Sequence, residues 1–90
     1  MHAVVVAVTV DQDHIDESLE MLKNRVVPEA RQLPGAIAGY WLDPAPGQGY
    51  STLVFDSEAN AKAAADTVRD RVPPYVTVNQ VQVYPVIASF

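Results

Sequence analysis

The sequence predicts one α+β domain of βαββαβ order that spans residues 1–90 and works as a homodimer. Three observations predict this fold class. Four segments rich in apolar and β-branched residues alternate with two segments of helical periodicity. Prolines and glycines lie between several of these segments and mark turns. The chain is also long enough for one domain and too short for two.

The first strand and the first helix have clear patterns. Apolar residues occupy positions of both parities over His2–Val10, which is typical of a strand covered on both faces. From Ile15 to Leu33 the apolar residues step by three or four positions, so they form one stripe on an amphipathic helix. Pro28 lies inside this stripe, removes a backbone hydrogen bond and crowds the preceding turn. We therefore expect a kink or a break near Val26–Val27.

The second half repeats the order of the first. Strands are predicted over Ala36–Leu42 and Tyr50–Phe55, and the proline- and glycine-rich segment between them suits a hairpin loop. A second helix follows Ser57, because alanine and valine recur at helical spacing until a Pro-Pro pair. The last strand begins at Val76. Its valines change parity near Asn79, which predicts a bulge.

The predicted sheet has more apolar surface than one chain covers. Both helices of a βαββαβ domain lie on one face, and the other face of an antiparallel sheet is normally polar. Here both faces are apolar, so a bare face would exceed the patch that monomers usually tolerate. We expect two copies to pack their sheets face to face, with Val86–Phe90 as a cross-over element. Neighbours on a strand point to opposite faces, so either Tyr40 or Trp41 lies in that interface.

Charge and composition exclude several classes of partner. Six Lys and Arg against eleven Asp and Glu give a net charge of −5, which repels phosphate backbones and anionic lipids. Gln48–Phe55 matches part of an RNA-recognition consensus, but it lacks the basic first residue and has Thr52 at an aromatic position. We predict no nucleic-acid and no membrane partner. The start of the chain does not resemble a signal peptide and no apolar run has membrane length, so we predict a cytoplasmic location.

The segments in their order resemble a known group of proteins. They are HAVVVAVTV, ESLEMLKNRVVPEARQLPG, AIAGYWL and YSTLVF, followed by a short alanine-rich helix. They resemble the dimeric α/β-barrel superfamily, which is ferredoxin-like, and within it the small antibiotic-biosynthesis-monooxygenase-like proteins. The most telling piece is Leu33–Trp41, where a helix stop leads into the second strand as in that group. The resemblance covers nearly the whole chain.

The resemblance implies a four-stranded antiparallel sheet with two helices on one face, pairing into a dimeric α/β barrel. It also implies oxidation of polycyclic aromatic substrates without a metal or an organic cofactor. Catalytic members carry an asparagine and a tryptophan four residues apart near the second helix. Asn60 matches the asparagine, whereas Ala64 stands in the place of the tryptophan. Haem-degrading relatives carry a helical histidine, and residues 57–72 contain none.

Five residues form the candidate ligand-binding set. They are His14, Arg25, Tyr40, Trp41 and Asn60. Either aromatic residue can stack on a flat ligand, and the other three can supply polar contacts. Each has a structural alternative, since Arg25 can pair with an acid four residues later and His14 can be an exposed loop histidine rather than a base.

The acidic run at residues 11–16 is the densest group of potential metal ligands. It begins like an EF-hand loop, but Asp16 stands where glycine is needed and Leu22 where glutamate is needed. We therefore predict a solvated helix start and no metal site.

Two functions remain open, and the sequence does not decide whether the chain is an enzyme. In the first, the space between sheet and helices holds a small, flat, mostly apolar molecule, as a cofactor-independent oxygenase or a binding protein would. In the second, the dimer is a non-catalytic interaction module with a filled core and no ligand. A cavity of roughly 300 Å³ or more, the lower end for small-molecule sites, would favour the first.

Overall fold

A computed structural model describes residues 1–90 as one antiparallel sheet with two helical segments on one of its faces. The strands are β1 (His2–Val10), β2 (Ala36–Ala45), β3 (Gln48–Phe55) and β4 (Val76–Pro85). The helices are α1 (Ile15–Met21), α2 (Val27–Arg31) and α3 (Glu58–Asp70). The sheet has the order β2-β3-β1-β4. The predicted βαββαβ order, with the two halves of the first helix counted as one, is confirmed.

The core lies between α3 and the centre of the sheet. Val4 on β1 pairs with Leu53 on β3 and with Val83 on β4, so β1 has a neighbour on each side. Three alanines of α3 let the helix approach the sheet closely. The buried core residues on this face are Val4, Val6, Leu53, Phe55, Ala61, Ala64, Ala65 and Val81. Ala64, one of these three alanines, is therefore part of the hydrophobic core.

The first helical segment is irregular at the place where Pro28 predicts an irregularity. A π-helical turn, Leu22–Val26, joins α1 to α2, and the Val27 N–H donates to the Leu22 carbonyl five residues earlier. Pro28 lies at the start of α2, where a missing N–H costs least. The helical segment is therefore continuous from α1 to α2, although its hydrogen-bond pattern changes at the π-helical turn. None of its residues is fully buried.

Two further sequence signals match local structure. β2 and β3 are joined by a tight turn at Pro46-Gly47, and Gly47 has a φ of 79°, as the third residue of a type II turn requires. On β4, Val78 pairs with Val8 and Gln80 with Ala7, so Asn79 is the extra residue of a bulge. The bulge explains the change of parity, and that prediction is confirmed.

The outer face, which we define as the side of the sheet opposite the helices, is largely apolar. Its apolar members are Ala3, Val5, Ala7, Ala38, Tyr40, Leu42, Tyr50, Val54 and Tyr84. Tyr40 is 63% exposed and Leu42 is 59% exposed, and no element of the chain covers them. Beyond β4 the tail leaves the sheet, with Ile87 and Phe90 fully exposed. No helix is both long enough and apolar enough to cross a membrane.

Candidate functional site

A cavity of about 240 Å³ lies between α2 and the edge strand β2. Eight of its ten lining residues are hydrophobic. The lining consists of Val27, Ala30, Arg31, Ala36, Ile37, Ala38, Gly39, Trp41, Leu53 and Phe55. Arg31, Ile37 and Gly39 are exposed, so the cavity communicates with solvent. Its volume is somewhat below the roughly 300 Å³ at which small-molecule sites usually begin, yet the interior is not filled.

Trp41 forms one wall of this cavity. Its indole lies over Gly39, because a Cβ atom at position 39 would be 3.0 Å from Cζ3 and Cη2 of the ring. Residues two apart on a strand share a face, so the missing side chain at Gly39 leaves room for the indole. The half-buried ring is backed by the strand and packs against the hydrophobic core.

Trp41 and Tyr40 therefore have opposite positions in the sheet. Trp41 lines the cavity on the helix side, whereas Tyr40 pairs with Thr52 and lies on the outer face. Of the two aromatic candidates, Trp41 is the one that can stack on a molecule between sheet and helices.

The π-helical turn, Leu22–Val26, immediately precedes the residues of α2 that line the cavity. A helix rotates by about 100° per residue, so one extra residue in a turn rotates everything after it by that angle. The sequence stripe directs Val26, Ala30 and Leu33 towards the sheet. Ala30 lines the cavity and Leu33 packs against the core, as the stripe predicts. Val27 and Arg31, which lie outside the stripe, are four residues apart on one face of α2 and also line the cavity.

Arg31 is a site residue that the sequence reasoning missed. It is the only charged residue of the lining, and it has no carboxylate within ion-pair distance. The predicted candidate, Arg25, lies before the change of phase, does not line the cavity and pairs with Glu29 at 3.9 Å. The signal that could have identified Arg31 is Pro28, since an irregular turn there changes the face that the following residues present.

His14 and Asn60 are also outside the cavity lining. The His14 ring stacks on Tyr75, with ring centroids 4.6 Å apart, and its Nδ1 lies 2.9 Å from a carboxylate oxygen of Glu17. The Asn60 side chain donates to Asp56 Oδ1 at 2.8 Å. The structure thus brings one of the five candidates, Trp41, to the cavity.

No group of three or more His, Cys, Asp or Glu side chains comes together in this structure in a way that could hold a metal ion. The acidic run at residues 11–16 is spread along the start of the first helical segment, and His14 pairs with Glu17, the residue after this run.

Comparisons by sequence find no relative. No protein-family model matches the chain, and no curated protein matches it.

Comparisons by structure find the same fold over the whole chain. The haem degrader MhuD of Mycobacterium tuberculosis, solved with two haems in its active site, matches with a TM-score of 0.75 and 14% identity, over 100% of this chain and 99% of that one. A Deinococcus radiodurans protein assigned as an antibiotic biosynthesis monooxygenase matches with a TM-score of 0.74 and 15% identity, over 100% of this chain and 96% of that one. A dimeric ferredoxin-like protein from an uncultured marine organism matches with a TM-score of 0.70 and 8% identity, over 100% of this chain and 98% of that one.

These likenesses establish the fold. The chain has the ferredoxin-like α/β fold of antibiotic-biosynthesis-monooxygenase-like proteins, so the resemblance predicted from its strands and helices is confirmed at that level. At such low identity they carry no information on the activity of this chain.

Proposed function

We propose that this protein is a homodimer that binds a small, flat, mostly apolar molecule between α2 and β2, with Trp41 as the stacking surface. The observation that carries the proposal is an open cavity whose wall is an indole held in place by the core beneath it. Apolar pockets with a few polar groups are the usual form of small-molecule sites. A flat ligand against Trp41 would bury apolar area on both of its faces.

The lining favours binding over acid–base catalysis. It contains no carboxylate, histidine, serine or tyrosine, and its one charged residue is Arg31. The cavity lining therefore offers no general acid or base for a proton transfer and no nucleophile for an attack on a ligand. An oxygenase reaction here would have to depend on the reactivity of the substrate itself.

The outer face supports the homodimer. Tyr40, Leu42, Tyr50 and Tyr84 are 48–63% exposed on one apolar surface, which a single chain leaves in water. The same face of a second copy is a complementary cover, because two apolar sheets pack about 10 Å apart around a two-fold axis. The dimeric ferredoxin-like protein with the same fold supports this assembly. We propose that the tail Val86–Phe90 reaches across the contact.

The alternative is a dimeric module that binds no ligand. A volume of about 240 Å³ favours it, because small-molecule sites usually begin at roughly 300 Å³. The two functions differ in what Trp41 does, since only the first requires it to contact a ligand.

A titration with a neutral two-ring probe, 2-naphthylmethanol, separates them. The chain has one tryptophan, so its indole N–H gives a single NMR signal that reports on the cavity. We expect the probe to shift this signal in a saturable way. Trp41→Leu should abolish probe binding as measured by calorimetry, whereas Tyr40→Leu, the matched change on the outer face, should retain it. Unchanged binding in Trp41→Leu would contradict Trp41 as the stacking surface, and no binding to the original chain would favour the module without a ligand.

A further inference from the structure

We infer that the cavity selects flat ligands that carry a carboxylate, and that Arg31 is the residue that recognises this group. The inference rests on the proposed function, because it names the ligand class of the same site.

Arg31 differs from the other arginines in having no partner. Arg25 and Arg71 each lie 3.9 Å from a carboxylate oxygen of Glu29, and Arg69 lies 3.3 Å from Asp66. The guanidinium of Arg31 has no acid within that distance and donates no side-chain hydrogen bond to the protein. Its donors are therefore free for a molecule in the cavity.

The cavity is locally positive although the chain is acidic. The whole chain has a net charge of −5, which opposes the general binding of anions. No acidic side chain lines the cavity, so Arg31 is the only formal charge that a bound molecule meets there. An anion is thus favoured at this place and disfavoured over the rest of the surface.

The position of Arg31 suits a ligand with an apolar end and a charged end. Val27, one turn earlier on the same face of α2, lines the cavity beside it, and Trp41 lines it from β2. The planar guanidinium donates two parallel hydrogen bonds to a carboxylate, a geometry that lysine cannot offer.

The volume limits the apolar end to one or two fused rings. A space of about 240 Å³ is below the usual range for drug-sized ligands, so a four-ring tetrapyrrole does not fit the cavity in this form. The ligand class is therefore a small aromatic carboxylate.

The test compares two probes of the same shape and different charge, 2-naphthoate and 2-naphthylmethanol. Both are titrated into the complete chain, with the Trp41 indole signal and calorimetry as readouts. Arg31→Gln removes the charge and keeps a polar side chain of similar reach. Arg25→Gln is the matched control, because Arg25 is an exposed arginine of the same helical segment that does not line the cavity. Circular dichroism checks that both variants are folded.

We expect 2-naphthoate to bind at least about tenfold more tightly than the alcohol, as a charge-assisted hydrogen-bond pair would give. Arg31→Gln should remove this preference, and Arg25→Gln should keep it. Equal binding of both probes, with a shifted Trp41 signal, would overturn the inference and leave the proposed function standing. A carboxylate preference that survives Arg31→Gln would also overturn it. Binding of neither probe would overturn both.

Discussion

The indole of Trp41 occupies the space that a side chain at Gly39 would need. A Cβ atom at position 39 would lie 3.0 Å from two ring carbons of Trp41 and 2.9 Å from Cδ2 of Leu53. Gly39 has an ordinary negative φ, so it is not needed for a turn. Because Gly39 has no side chain, the Trp41 indole can lie against the strand, where it forms one wall of the cavity.

Gly39→Ala is therefore expected to displace the indole. The added methyl group would clash with the ring and with Leu53, and such overpacking costs about 1–3 kcal/mol of unfolding free energy. Urea denaturation measures this loss, and tryptophan emission should move to longer wavelength as the ring becomes more exposed.

A double-mutant cycle identifies the cause of the Gly39→Ala effect. If the clash is with the indole, the same change in a Trp41→Leu chain should cost less, with the remaining cost due to Leu53. An equal cost in both chains would contradict the contact between Gly39 and Trp41 as its origin.

A charge in the outer face is expected to separate the proposed dimer. Tyr50 is 48% exposed on β3, pairs with Leu42 and Ala7, and belongs to the apolar face that a second copy would cover. Tyr50→Asp would place two unpaired carboxylates in a two-fold interface, each costing several kcal/mol. The dimer dissociation constant should rise by more than about a hundredfold.

Sedimentation velocity over a range of concentrations measures the effect of Tyr50→Asp. Leu19→Asp is the control, because Leu19 is also an exposed apolar residue, 41% accessible, but lies on α1 in the helix layer. A dimer that persists in Tyr50→Asp, or one that dissociates equally in both variants, would place the contact elsewhere.

The strands could be predicted from the sequence where the pattern was strong. The bounds of β1 agree with the structure, and the parity change at Asn79 correctly indicated the bulge. β2 was predicted to end at Leu42 but extends to Ala45. Pro44 suggested a loop, yet β2 is an edge strand, where proline removes no hydrogen bond that the sheet requires.

The candidate site was less predictable for two physical reasons. Alternation along a strand shows that Tyr40 and Trp41 face opposite ways but not which one faces the helices, since both faces of this sheet are apolar. The second reason is the phase of the helix. An ideal period of 3.6 residues carries no information about a π-helical turn, so the sequence pattern does not distinguish Arg31, which lines the cavity, from Arg25, which does not.

The same phase change yields a prediction at Pro28. In a regular α-helix its ring would crowd the carbonyl of Asn24, four residues earlier, and the wider π-helical turn relieves this contact. Pro28→Ala restores the N–H and removes the ring, so we expect the segment to revert to regular α-helix. That change would rotate α2 by about 100° and turn Arg31 away from the cavity.

Pro28→Ala should therefore reduce the preference for 2-naphthoate over 2-naphthylmethanol, although Arg31 itself is unchanged. Pro44→Ala, at an exposed proline of β2, should keep that preference. NMR contacts along residues 22–31 distinguish hydrogen bonds that span five residues from those that span four. If the π-helical turn persists without the proline, the prediction is wrong. In that case packing against β2, and not Pro28, determines which face of α2 lines the cavity and therefore where Arg31 lies.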